Sequence, residues 1–376
     1  MKDVFIIADN IFSPLGISTV ENFAQLRQSV SGVKKHDDAT MSEQPFYAAL
    51  FDKQDSFIND QNRYTRFEKL LIASISDALQ NSGIFAGDKK TILIISSTKG
   101  NISLLESETY NKESNKRISL TTSAKLVADH FHFVNQPIVI SNACISGVLA
   151  IITGLRMIQS GQYENAVVAG ADVISKFVLS GFQSFQAISE GHCKPFDAAR
   201  NGINLGEGAG TVILSSQKKY SQGIKVSGGS ISNDANHISG PSRTGEPLNN
   251  AITKALKDAD LSSAAINFIS AHGTATVYND EMEAKAITLA NMQSAPVNSL
   301  KGYYGHTLGA AGLIESIVSV HSMKEDLVLP TMGFKNMGVT VPVNICTSLY
   351  KASLQNCLKT ASGFGGCNAA VIFSKQ

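Results

Sequence analysis

The sequence predicts an α/β fold. Three observations carry that expectation: short apolar runs of β type recur along the chain, helical patterns separate several of them, and runs such as TILIIS (Thr91–Ser96) are apolar without alternation. A strand that is apolar on both faces belongs in a sheet covered on both sides, which strand–helix alternation supplies.

The β-type runs are Val4–Ala8, Thr91–Ser96, Ile138–Ile140, Ala166–Val168, Thr211–Leu214, Ile266–Ile269 and Ala369–Phe373. Helical patterns cover Thr65–Ser82, Ser146–Gln159, Asn249–Ala259, Asp280–Asn291 and Gly312–Met323. With 376 residues the chain is long enough for two domains, or two halves of one. The polar SSQKKYSQG (Ser215–Gly223) separates two apolar strands near the middle, so the expected division is 1–216 and 217–376. Asn101–Lys116, NISLLESETYNKESNK, is polar and poorly patterned, and reads as a mobile or partner-facing loop with helix ends.

Composition excludes several classes. The 32 basic side chains balance 31 acidic ones, so there is no nucleic-acid footprint and no acidic tail. A 43% hydrophobic content suits a compact protein with a large core. The start, MKDVFIIADN, has too short an apolar run for a signal peptide. No run approaches the roughly 20 apolar residues of a membrane span. The five cysteines are far apart and form no CxxC or Cys/His cluster, which argues against disulfides or zinc and for a reducing, cytoplasmic setting.

One cysteine has a distinctive setting. In PIVISNACISGVLAIITGLRMI (Pro137–Ile158), PIVI ends a strand, SNA turns, and CISGVLAIITGLRMIQSG reads as a buried helix closed at Ser160–Gly161. Cys144 then stands at a helix N-terminus, where unpaired N–H groups and the dipole favour a thiolate. On position alone it is either a nucleophile or a small buried cysteine. Gly147, Ala150 and Gly154 share a flank open to close approach by another backbone. Cys193, Cys346, Cys357 and Cys367 lack this setting and read as structural.

Two histidines lie in glycine-rich turns. His272 follows an apolar strand in FISAHGTATVYNDEMEAKAI, and Asp280 is placed to cap the next helix. His306 follows Gly-Tyr-Tyr-Gly in SLKGYYGHTLGAAGLIESI, with Lys301 five residues earlier. Junctions of this kind carry binding and catalytic groups. His36, His130, His132 and His192 have polar or irregular context and receive no role. A metal reading of His272 and His306 fails in the sequence for want of an evident third ligand. In ASGFGGCNAAVIF, Gly363, Gly365 and Gly366 form a third turn able to aim backbone N–H groups at an oxyanion.

Together these pieces resemble the β-ketoacyl-acyl-carrier-protein synthases, condensing enzymes of the thiolase-like fold, over nearly the whole chain. FSPLGISTVENFAQLRQSVSGV (Phe12–Val33) resembles the family's opening, SNACISG its nucleophile motif, and KPFDAARNGINLGEGAGTVIL (Lys194–Leu214) its central signature. AHGTAT, KGYYGHTLGAAG and SGFGG resemble its two histidine motifs and its Gly-Phe-Gly-Gly loop. The resemblance implies a five-layer α-β-α-β-α fold of two similar halves, paired as a homodimer or with a related synthase or chain-length factor. It implies that Cys144 is the nucleophile and that His272 and His306 bind the malonyl thioester carbonyl. Lys301 and Glu315 match the family's lysine and acid around the second histidine. Phe364 matches its gating phenylalanine, and the N–H groups of Cys144 and Phe364 its oxyanion hole. Thr274 and Thr276 match the threonines that hold a pantetheine arm, and Ser239 and Gly365 are assigned with them to substrate binding.

The implied reaction is decarboxylative condensation of an acyl thioester with malonyl-acyl-carrier protein, in fatty-acid or polyketide-like synthesis, with no cofactor or metal. The implied partner is an acidic, phosphopantetheinylated acyl carrier protein. Departures are visible. The family's HGTGTPxGD reads HGTATVYND, with Ala275 for glycine and Val277 for proline, while Asp280 and Glu283 keep their places. Ser362 stands where an aromatic is common, and Cys367 where threonine is. They point to a specialised synthase, of aryl-polyene or similar kind, over a housekeeping one. A chain-length factor usually lacks the nucleophile, a thiolase usually adds a second catalytic cysteine, and a scaffold protein needs none of these motifs.

Overall fold

The computed structural model describes residues 2–52, 63–106, 111–235 and 240–376. Ser239 lies outside them, as does part of the Asn101–Lys116 segment. The rest of that segment contains a 3-10 turn at Ile102–Glu106 and the start of a helix at Lys112–Ile118.

Ten strands form one sheet system: β1 Phe5–Phe12, β2 Thr91–Ser96, β3 Ile138–Ile140, β4 Asn165–Asp172, β5 Gly208–Ser215, β6 Ile224–Asn233, β7 Phe268–Ser270, β8 Val297–Asn298, β9 Asn356–Gly363 and β10 Cys367–Lys375. Their spatial order is β8-β7-β9-β10-β6-β1-β5-β4-β2-β3. The first five strands thus run 3-2-4-5-1, and the last five repeat the same order. The runs meet where β1 and β6 pair antiparallel through Phe5 and Lys225. Within each run the outer three strands are parallel (β3, β2, β4 and β8, β7, β9) and the strand that is last in the chain returns antiparallel.

Seven helices are needed to place the site: α1 Arg66–Gln80, α2 Leu120–His130, α3 Ser146–Gln159, α4 Lys176–Ser184, α5 Glu246–Ala259, α6 Val277–Leu289 and α7 Ala311–Glu325. They produce five layers around three main apolar cores, the central one shared by both seams of the middle helix layer. Phe67, Leu70, Leu71 and Ile75 of α1 pack with Val127 of α2 on Ile7, Leu93 and Val167 of the first sheet run. Ile151 and Leu155 of α3 meet Leu313, Ile314 and Ile317 of α7 between the two runs. Leu248 and Ile252 of α5 and Met282 and Ile287 of α6 cover the far face, on Ile269, Leu358 and Ile372. Sheet strands buried on both faces are the reason that TILIIS carries no alternation.

The central helices approach through small residues. A Cβ on Gly147 would lie 2.6 Å from Leu313 N, and one on Gly312 2.6 Å from Val148 Cγ2. This crossing bears on function, because α3 follows β3 and Cys144, while α7 follows β8 and His306. The two residues occupy equivalent positions in the repeated topology, and the close crossing brings them together. Among the described residues no helix is long and apolar enough to cross a membrane.

Candidate active site

The turn that carries Cys144 is tightly pinned. Ala143 adopts φ 44°, a left-handed conformation that costs a non-glycine residue roughly 1–2 kcal/mol. The Ser146 hydroxyl donates to Ala143 O (2.7 Å) and accepts from Asn142 N (2.8 Å), holding that turn closed. α3 begins at Ser146, so Cys144 stands two residues ahead of the helix rather than inside its first turn. The expectation of a dipole-stabilised thiolate is corrected accordingly. Burial above all, with Cys367 adding to it, pushes the thiol up to about 12, against the pull of Lys301 and of the Phe364 N–H aimed at the sulfur. At rest Cys144 is a thiol.

His272 leaves the end of β7 under the control of one carboxylate. Glu283 accepts from His272 N (2.8 Å) and Gly273 N (2.6 Å), and also from Asn279 Nδ2 and Thr360 Oγ1 at 3.0 Å. Asp280 does not cap the helix as the sequence suggested. It lies inside the first turn of α6, whose N-cap is Thr276, and it accepts from Phe196 N at 2.7 Å. Burial, reinforced by Glu283, raises Asp280 to about 7.

His306 is fixed through its backbone, with His306 N donating to Asn204 O (2.7 Å) and Gly206 N donating to His306 O (3.1 Å). The preceding Gly305 has φ +66°, and a Cβ there would lie 2.3 Å from Leu205 O, so the turn demands glycine. Further along, Gly309 N donates to Asp172 Oδ2 (2.6 Å), and Asp172 also accepts from Ser97, Thr98 and Lys99. This buried carboxylate at the end of β4 ties the His306 loop to the first sheet run.

These loops converge. His306 Nε2 lies 2.9 Å from Cys144 Sγ, and the two imidazoles meet edge to face with centroids 5.2 Å apart. Burial, followed by the nearby Lys301 cation, pushes both rings well below the ordinary histidine range. Both are therefore neutral, each with one N–H to offer. Behind them Lys301 pairs with Glu315, which also holds Lys359 at 2.7 Å. All three side chains are buried.

A cavity of about 410 Å³ opens onto the trio, lined by Cys144, His272, His306, Thr274, Thr276, Ser362 and Phe364 among others. The Thr274 and Thr276 hydroxyls are 2.8 Å apart on its wall. Phe364, 38% exposed, stacks loosely on Phe182 and Phe185 at centroid distances of 6.0 and 5.3 Å, and Phe182 reaches the edge of His306. Gly365 shapes the β9–β10 turn with φ 85° but does not line the cavity. The residue types at Phe182, Phe185, Lys359 and Asp172 gave no site signal in sequence. Only Lys359, a lysine inside an apolar strand, violates a local pattern strongly enough to have been noticed.

The fold also supplies the third ligand that the sequence did not reveal beside the histidines. Donor atoms of Cys144, His272 and His306 lie within 4.8 Å of one another, a Cys-His-His set of zinc type. The Lys301 and Lys359 cations behind the histidines repel a dication there.

Ala275, the departure from the family's glycine, has φ 62° and is fully buried. The backbone shape that a glycine would adopt is kept, at a strain cost of roughly 1–2 kcal/mol. Ala275→Gly is expected to leave the reaction rate unchanged and to raise the denaturation midpoint, with a gain near 1 kcal/mol in urea unfolding. A lower midpoint shows that the methyl packing outweighs the strain.

Comparison with known proteins agrees with this geometry. Residues 1–219 match the family described as "Beta-ketoacyl synthase, N-terminal domain", and residues 224–335 match "Beta-ketoacyl synthase, C-terminal domain". A 3-oxoacyl-[acyl-carrier-protein] synthase 2 of Vibrio cholerae is 28% identical, over 100% of this chain and 99% of that protein. The crystal structure of a β-ketoacyl synthase from Burkholderia phymatum is 25% identical with a TM-score of 0.92, each chain covered in full. The structure titled "The ishigamide ketosynthase/chain length factor" has the same identity and TM-score, covering 100% of this chain and 99% of that one. The Cys144 turn, two neutral histidines and a Gly-Phe-Gly-Gly loop converge on one cavity, and both family domains match along the sequence: the chain belongs to the β-ketoacyl synthase family.

Proposed function

We propose that Cys144, His272, His306 and the Phe364 loop perform the decarboxylative Claisen condensation of this family's synthases. The observation that carries the reading is the 2.9 Å contact of His306 Nε2 with Cys144 Sγ, beside a second neutral histidine on the same cavity. Cys144 attacks the acyl thioester as its sulfur accepts from His306 Nε2–H, and the thiol proton passes to the departing pantetheine thiolate. The tetrahedral oxyanion accepts from the N–H groups of Cys144 and Phe364. Malonyl thioester then loses CO₂, and the enolate oxygen accepts from the two imidazole N–H groups. The carbanion attacks the acyl-cysteine, and the sulfur leaves and regains a proton. The products are a β-ketoacyl thioester, the free pantetheine thiol of the acyl donor, CO₂ and free enzyme, with net uptake of one proton.

The acyl and malonyl groups are proposed to arrive on a phosphopantetheinylated carrier protein, with Thr274 and Thr276 positioned for the arm. The chain is proposed to work as a dimer with itself or with a related synthase or chain-length factor. A cytoplasmic setting is supported by five cysteines that are all free. The division at residues 216/217 is supported by the repeated strand order on either side of it. Ser362, which lines the cavity where the family often has an aromatic, favours a specialised polyketide-like acyl chain.

Intact-mass and peptide mapping after incubation with acyl-carrier-protein donors tests the reading. One acyl group is expected on Cys144 and none on Cys193, Cys346, Cys357 or Cys367. No adduct with any donor, alone or with a paired subunit, rules it out.

A further inference from the structure

Lys359 is a buried titratable group to which the reaction above gives no part. It lies in the middle of β9, fully buried. Two of its N–H groups donate to Ser270 O and Ala271 O, each at 3.1 Å, and the ammonium is ion-paired with the Glu315 carboxylate at 2.7 Å. Burial pulls its pKa below the ordinary lysine value, and Glu315 opposes that shift in favour of the cation. The two carbonyls belong to the last residue of β7 and the one after it, so the next residue in the chain is His272. The same Glu315 pairs with Lys301.

We propose that Lys359 is a second positioning residue for the histidine pair, resting on the condensation reading above. It clamps the strand end from which His272 emerges, and with Lys301 it keeps two cations over one carboxylate behind both rings. The Lys359 charge opposes imidazolium formation and favours the neutral donor form of both rings that an enolate needs. Lys359 acts on both His272 and His306 in the same sense as Lys301, though less strongly.

The other charged groups facing the pair act in the opposite sense or elsewhere. Glu315 is shared between the lysines, and Glu283 is a carboxylate beside His272 that accepts from His272 N and Gly273 N and also attracts Lys359. Asp280 faces Phe196 N and Arg200, and Asp172 faces the Ser97–Lys99 turn and Gly309. Cys144 is a neutral thiol at rest.

The test uses the full-length protein with labelled histidine side chains, in Lys359→Met and Lys359→Gln variants. Ring titration by NMR reads the histidines directly, whatever the activity, and the pH profile of CO₂ release from malonyl-carrier protein is measured alongside. Loss of a cation is expected to raise the His272 and His306 midpoints by on the order of one pH unit. The acid limb of the profile moves up by the same amount, because protonation removes the donor form as pH falls. Lys359→Gln keeps N–H donors without charge, so an equal shift in both variants assigns the effect to charge. Titrations that coincide with wild type in a folded variant overturn the proposal. If Lys359→Met does not fold, Lys359→Gln decides alone. Wild-type protein that releases no CO₂ refutes the condensation reading, while the ring titration still judges Lys359.

Discussion

Cys144→Ala and Cys144→Gln are expected to lose condensation and keep malonyl decarboxylation, whereas His306→Ala loses both. The reason is the division of labour in the cavity. Covalent capture of the acyl group needs the sulfur, and no neighbouring side chain can replace it, since Cys367 hydrogen-bonds the Asn142 and Phe364 carbonyls instead. Enolate formation needs only two N–H donors, which remain when the sulfur is gone. Removing one such donor lowers a rate by about 10²–10³-fold, so His306→Ala should cut CO₂ release by that factor. It also removes the imidazole that contacts Cys144 Sγ at 2.9 Å. Glutamine at position 144 presents a carbonyl towards the Phe364 N–H and is expected to match or exceed alanine in decarboxylation. The measurement is labelled CO₂ release beside product formation from a panel of acyl donors. Decarboxylation that falls equally in all three variants would place the sulfur, not the histidines, at the centre of that step.

Much of this site is legible in the sequence because its parts are local. Strand-to-turn junctions with glycine mark Cys144, His272, His306 and Phe364, and the surrounding apolar runs locate the strands. The helix over Ser146–Gln159 is found at the bounds that its pattern implies. What pattern cannot supply is pairing across the chain. The repeated 3-2-4-5-1 order depends on contacts between strands as far apart as Phe5 and Ser215. Lys359 meets Glu315 only because β9 passes beside α7.

The two local expectations that failed share a cause. Asp280 was read as a cap and Cys144 as a helix-stabilised thiolate, both on sequence position. Asp280 instead serves Phe196, 84 residues away, and Cys144 is governed by the apolar layer that buries it. Local chemistry is overridden where tertiary burial is complete.

Glu315→Gln is expected to be the most destabilising single change near the site. Its carboxylate lies between two buried ammonium groups, and without it Lys301 and Lys359 are like charges in a dry interior. Breaking a buried pair by removing one partner costs about 3–5 kcal/mol, because the remaining charge is left uncompensated. The loss should also depend on pH in a definite direction. Burial already holds the Lys359 pKa below its ordinary value, and the variant loses the Glu315 charge that opposes this, so the unfolded chain holds more protons and stability rises with pH through that window. Below the window the full cost is present; above it Lys359 is neutral and the cost fades. Urea unfolding at neutral and at alkaline pH, for wild type and variant, measures the difference. A second substitution, Lys359→Met, in the Glu315→Gln background should restore part of the stability, since it removes one of the two repelling charges. Restoration by a mutation that is harmful alone distinguishes charge repulsion from a packing defect, which a second truncation would only deepen. If Glu315→Gln unfolds like wild type at both pH values, the carboxylate is not what holds the lysines in the interior.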